Sequence, residues 1–233
     1  MINQEVRKAD NLSNKAFENS VFINCPFDVA YKKKLIAILY TIITNNLNPI
    51  IAGDKIIGDI NRNEVLVDLI KKSKYGIHDL SAINKIPPRF NMPFEFGIFF
   101  GCKYYGDIKQ KTKRFLIFEE KRFDLKKVIT DVSGIDPIAH NNDPYKIIDT
   151  LSKWFLSCGL KRRLTKVEIV TAFYNGFMKK YSAKDLARLN TGKIIEIINN
   201  HYSYPAGIEL LINKFETIDK ISKLKRDYIP ISP

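Results

Sequence analysis

Two carboxylates, Asp79 and Glu95, share one stretch of the chain, Lys74–Gly101, which reads KYGIHDLSAINKIPPRFNMPFEFGIFFG. Asp79 closes an alternating segment, Tyr75, Ile77 and Asp79 against Gly76, His78 and Leu80, the pattern of a strand that ends in an acid. Glu95 falls in a helical run that Asn91 is placed to cap, with Pro93 and Glu95 in its first turn. Acids converging at a strand end and a helix start suit general acid–base chemistry, nucleophilic attack, or stabilisation of positive charge on a sugar. Burial raises a glutamate's pKa and a helix N-terminus lowers it, so the sequence leaves the protonation of Glu95 open. The bland reading of Glu95 is an acid favoured by the helix dipole. Its apolar company (Phe94, Phe96, Ile98, Phe99 and Phe100) argues for a role, because an unpaired carboxylate among phenylalanines costs stability.

The elements around this stretch alternate. Val21–Asn24, Pro49–Ala52, Lys74–Leu80, Arg114–Glu119 and Pro137–His140 read as strands. Between them, Tyr31–Asn46, Asn61–Ser73, Met92–Tyr105 and Asp124–Val132 carry helical spacing, and a further helix runs from Asp143 to Cys158. The helix after Pro93 is apolar on nearly every side, which predicts a buried helix. RFLIFE at Arg114–Glu119 is almost continuous in apolar residues, as a strand covered on both faces should be. The expected fold class is therefore α/β, a flavodoxin-like three-layer sandwich with a central parallel sheet. The expected organisation is an N-terminal arm (residues 1–20), an α/β domain (21–158) and a basic helical appendage (159–233). In the appendage, Arg163–Tyr181, Ala183–Leu189, Gly192–Tyr202 and Gly207–Leu224 read as helices.

The 233-residue chain carries a formal net charge of +13. That favours anionic company: nucleotides, nucleic acid or an acidic partner. Its lysines are scattered, apart from short runs at Lys32–Lys34 and Lys161–Arg163, which fits a solvated surface at least as well as a nucleic-acid groove. Cys25, Cys102 and Cys158 lack metal-ligand spacing and suit a reducing compartment. No run resembles a signal peptide or a bilayer span, so a cytoplasmic protein without membrane attachment is expected. Motifs for a dinucleotide redox fold, a P-loop, a nucleophile elbow and a metal cluster are lacking, and no cofactor or metal is expected.

In an open parallel sheet, ligands bind beyond the carboxyl ends of the strands. The polar residues predicted there are Asn24 and Asp28 after the first strand, Asp54 and Asp59 after the second, and Asp79 and Ser81 after the third. Asn24 and Asp28 could contact a base or ribose, although Asp28 equally suits a helix cap. Tyr31 could stack on a base. Arg89 and Asn91 flank the pocket, and Arg89 suits a phosphate or ribose oxygen. His78 points away from Asp79 and reads as a core histidine.

The run NMPFEFGIFFG resembles the corresponding helix of nucleoside 2-deoxyribosyltransferases. More broadly, the layout from Val21 to Cys158 is similar to TIR-like domains of bacterial antiviral systems, and VFINCPFD with YGIHDLS…PRFNMPFEFG carries the same likeness. The resemblance implies that Glu95 matches the transferase nucleophile and Asp79 a base- or ribose-binding acid. It further implies N-glycosidic bond cleavage in NAD or a related nucleotide, within a defence-type effector that acts as a homo-oligomer or through a partner on the helical appendage. A true nucleoside 2-deoxyribosyltransferase and a non-enzymatic nucleotide-sensing or assembly module are the alternatives. The loop Arg89-Phe90-Asn91-Met92 departs from the transferases' approach to their glutamate.

Overall fold

The computed structural model describes residues 13–52, 61–130, 134–160 and 164–203. Five strands, β1 (Ser20–Asn24), β2 (Asn48–Ile51), β3 (Tyr75–Asp79), β4 (Arg114–Glu119) and β5 (Ile138–Ala139), form an all-parallel sheet. Its order is β2-β1-β3-β4-β5, the flavodoxin-like arrangement and the α/β class expected. β1 and β3 are buried along their whole length, as is β4 beyond its first two residues, and this burial on both faces fits the apolar runs Val21–Ile23 and Phe115–Phe118. The register aligns Asn24 with His78, Asp79 with Phe118, and Glu119 with Ala139, so Asn24, Asp79 and Glu119 mark the carboxyl edge. The chain leaves β1 toward β2 on one side and β3 toward β4 on the other. The topological switch point therefore lies between β1 and β3.

Helices α1 (residues 13–19), α2 (Lys32–Thr44), α3 (Arg62–Lys71), α4 (Asn91–Tyr105), α5 (Ile108–Lys111), α6 (Pro144–Ser157), α7 (Val167–Lys180), α8 (Ala183–Arg188) and α9 (Thr191–Ser203) complete the described chain. It divides into two compact units: residues 1–27 with 46–143, and residues 28–45 with 144–233.

The first unit holds the sheet with α1, α3, α4 and α5. One apolar cluster packs Met92 and Phe96 of α4 with Leu80, Ala82, Ile83, Ile117 and Leu125. A second joins Phe99 of α4 to Phe22, Leu66 and Ile70. Gly76 on β3 makes the close approach feasible: a Cβ there would lie 2.6 Å from His78 Nε2 and 2.8 Å from the Phe99 ring.

The second unit gathers α2 with α6, α7, α8 and α9, so its boundaries cut across those expected for an α/β domain and an appendage. Tyr40 of α2 stacks on Phe173, meets Phe177 edge-on, and shares a 2.9 Å hydrogen bond with His201 Nδ1. Asn45 Oδ1 accepts from the Thr165 N–H, and Lys32 Nζ donates to the Leu189 carbonyl just beyond α8. Lys34 lies 4.7 Å from the Tyr31 ring centroid. Two of the three lysines at Lys32–Lys34 are thus buried structural groups rather than an anion-binding surface.

Several local expectations need correction. The polar segment before Ser20 is helical over residues 13–19, and Phe17 is buried there. Among the described residues of Asp124–Val132 an α-helix does not form; Leu125–Lys127 make a 3-10 turn instead. The helix after Pro93 is not buried all round: Met92, Phe96 and Phe99 are buried, while Phe94, Tyr104 and Tyr105 are exposed. Composition alone does not reveal which side of an apolar helix is covered. The loop positions Gly53, Asp54, Gly58 and Asp59, the basic run Lys161–Arg163 and the predicted helix Gly207–Leu224 lie outside the described residues.

Candidate functional site

The site is assembled at the carboxyl edge of β1 and β3. Asn24, the last residue of β1, is buried, and its Nδ2 donates to the Met92 carbonyl at 2.7 Å. The same amide lies 3.2 Å from His78 Nδ1. An amide donor at Nδ1 leaves the imidazole proton on Nε2. That nitrogen lacks a hydrogen-bond partner among the described residues and lies in the core beside the rings of Phe96 and Phe99, 5.1 and 5.0 Å away between centroids. Burial and the Lys113 charge push the His78 pKa down to about 3, so His78 is a neutral core group. Its role is to hold Asn24, which in turn pins the first turn of α4 at the switch point.

Asp79 ends β3 with no solvent exposure. Its Oδ1 accepts from the Ser81 N–H at 2.9 Å, fixing the turn that carries Ser81. Its Oδ2 lies 3.0 Å from Nε2 of His140, an equally buried residue just beyond β5. His140 Nδ1 accepts from the Asn142 N–H, which places the ring proton of the neutral form on Nε2, on the Asp79 side. The separation is that of an ion pair; the N–H is not well aligned for a hydrogen bond.

Glu95 is half-buried, one turn into α4. Burial raises its pKa, and the Arg62 charge at the start of α3 and a hydrogen bond from the Asn91 side chain partly oppose that rise. The carboxylate is thus held in a desolvated setting with a cation and an amide donor as partners. Asn91 does not cap the helix: it is the first helical residue, and Phe90 occupies the cap position. A side-chain cap needs an extended backbone, whereas Phe90 has φ −81° and ψ −13°. Freed from capping, the Asn91 amide serves Glu95.

The predicted residues therefore separate. Asn24, Asp79, Ser81, Asn91 and Glu95 belong to the first unit and gather on the β1–β3 edge and the start of α4, with Asp79 and Glu95 served by different partners. Arg89 lies on the exposed loop before α4, its N–H donating to the Ala82 carbonyl. Asp28 and Tyr31 belong to the second unit. Asp28 caps a 3-10 turn by accepting from the Tyr31 N–H, and the Tyr31 ring is buried.

Comparison of the chain with protein-family models, curated proteins and solved structures returns no match.

Three groups escape a sequence reading that stops at the third strand. Glu119 ends β4 and accepts from the Phe123 and Leu125 N–H groups, fastening the next loop. His140 follows β5 and meets Asp79, and Arg62 acts on Glu95 from α3. The rule that picked Asn24 and Asp79, a polar residue at a strand's carboxyl end, finds Glu119 and His140 when carried to the fourth and fifth strands. Arg62 has no comparable signal, since only the packing of α3 against α4 brings it near. Among the described residues, no group of three or more His, Cys, Asp or Glu could hold a metal, and no helix is long and apolar enough to cross a membrane.

Proposed function

We propose that the β1–β3 edge with the start of α4 cleaves the N-glycosidic bond of NAD or a related nucleotide, with Glu95 as the catalytic residue. The observation that carries the proposal is the half-buried Glu95 carboxyl, raised in pKa by burial, in a helix whose first turn Asn24 fastens to the switch point. Breaking a C–N glycosidic bond builds positive charge on the sugar, and a desolvated carboxylate stabilises that charge more strongly than one in water. In the covalent version, a Glu95 oxygen bonds the anomeric carbon as the C–N electron pair leaves with the base. Water then adds to that carbon and releases the carboxylate, its proton passing to solvent.

Asn91 and Arg62 act as positioning residues, orienting the carboxylate and favouring its ionised form. Asp79, engaged by the Ser81 N–H and by His140, acts by fixing the loop after β3. Asn24 and Ser81 line the polar edge, and Arg89 on the exposed loop before α4 is the cation an approaching phosphate would meet. The resemblance of NMPFEFGIFFG to the deoxyribosyltransferase helix supports the same residue and the same bond. On this reading the setting is a bacterial defence effector acting on a cytoplasmic nucleotide.

The test is incubation of the full chain with NAD, NADP and a panel of nucleosides and nucleotides, with chromatography of released base. The proposal expects one base to be released by wild type and not by Glu95→Gln. Transfer of the sugar to an added acceptor base, rather than to water, would point to the transferase. Base release at equal rates from both proteins would remove Glu95 from the mechanism.

A further inference from the structure

The outer face of α4 is apolar and exposed. Phe94, Tyr104 and Tyr105 are 56%, 53% and 92% exposed, Phe90 at the helix entry is 64% exposed, and Ile108 just past the helix is 86% exposed. At 3.6 residues per turn, positions 94, 97, 101 and 104 fall on one stripe, opposite the buried Met92, Phe96 and Phe99. Gly97 and Gly101 occupy the middle of the stripe, and among the described residues a Cβ built on either meets nothing within 4 Å. The result is a hollow at the centre of the helix with an aromatic ring on each side.

This order of sizes is symmetric along the helix: aromatic, glycine, glycine, aromatic. Turned about a two-fold axis at the helix midpoint, the stripe matches itself. Gly97 of one copy then lies against Gly101 of the other, and each Phe94 against a Tyr104. A two-fold contact requires one patch to complement itself in this way, and the glycines let the two backbones approach closely. The area is also sufficient. Taking about 200 Å² for a whole aromatic side chain, the four exposed rings present on the order of 500 Å² per copy. With Ile108 and the glycine backbone added, two copies bury roughly 1,200 Å², the lower bound of a specific interface. An apolar face of this extent matches the largest patch a monomer's surface ordinarily carries, the kind that often serves as a contact.

We infer that α4 is a homodimer interface in which two copies pack their helices antiparallel across Gly97 and Gly101. An interface at the lower bound of size is expected to give a reversible dimer. Because each chain carries +13, repulsion between copies opposes assembly, and added salt should strengthen it.

Sedimentation velocity of the full chain from about 1 to about 200 μM tests this. The expected result is a monomer–dimer equilibrium that tightens with salt. Gly97→Lys combined with Gly101→Lys fills open space on the monomer and exchanges glycine for a better helix former, so the variant should fold, as circular dichroism will report. It should sediment as a monomer at every concentration. Phe94→Lys with Tyr104→Lys should behave in the same way. A monomeric wild type at about 200 μM overturns the inference, and so does a glycine variant that still dimerises.

Discussion

Lys113 offers a quantitative check on the interior of the first unit. It has no solvent exposure, and its Nζ donates to the Ile70 carbonyl at 2.7 Å and to the Ser73 carbonyl, at the C-terminal end of α3. The Phe99 ring centroid lies 4.5 Å from the same nitrogen. Carbonyls at a helix C-terminus favour a cation, yet desolvation dominates, and the Lys113 pKa falls from 10.5 to about 8 even though the Cys102 charge opposes the shift. Between those two pH values the unfolded chain binds the proton and the folded chain has released it, so unfolding free energy rises with pH across that window. At about 1.4 kcal/mol per pH unit, the full effect is about 3 kcal/mol. The perturbation is Lys113→Met, which removes the titration but strands two carbonyls. The loss of hydrogen bonds is independent of pH and shifts the whole curve, whereas the titration changes its slope. Urea denaturation of both proteins at a series of pH values isolates the slope as a difference. The wild-type advantage should be flat below about pH 8, grow by about 3 kcal/mol toward about pH 10.5, and then level off. A difference that stays flat through the window would refute the argument, because it would mean that the ammonium is hydrated in the folded protein.

Two further substitutions probe the elements that hold the site. Gly76→Ala should destabilise by about 1–3 kcal/mol, since its Cβ would meet His78 and Phe99 at less than van der Waals distance; thermal or urea denaturation reads this directly. His140→Ala withdraws the group facing Asp79 Oδ2 and should cost about 2–3 kcal/mol in the same measurement, with His140→Gln recovering part of the loss.

The legibility of the fold followed the range of the interactions. β1 and β4 can be read directly as short apolar runs with a polar residue at the end, and β3 as an alternating segment that ends in an acid; Asn24 and Asp79 stand out by that sign. The Asn24–Met92 carbonyl bond joins residues 68 positions apart, so the residue is legible and its partner is not. The amphipathic character of α4 was concealed by composition. Phe94 and Tyr104 differ little in kind from Phe96 and Phe99, and only tertiary packing decides which set is covered. The joining of α2 to the late helices, through Tyr40 and His201 a hundred and sixty-one positions apart, leaves no local mark. Asn91 has the right chemistry for a cap, but the backbone of Phe90 before it is already helical, which the sequence does not reveal.

The central claim is that Glu95 performs the chemistry, and a paired measurement on wild type and Glu95→Gln tests it most directly: base release from NAD and the nucleotide panel, alongside a thermal melt at neutral pH. Burial raises the Glu95 pKa in the folded state, so its contribution to stability is complete below the ordinary carboxylate range and is lost as pH rises through the folded value. The neutral glutamine should therefore melt at or above wild type while base release falls by about 10²–10³-fold. Equal base release from the two proteins, or a Glu95→Gln variant that melts well below wild type, would contradict the account.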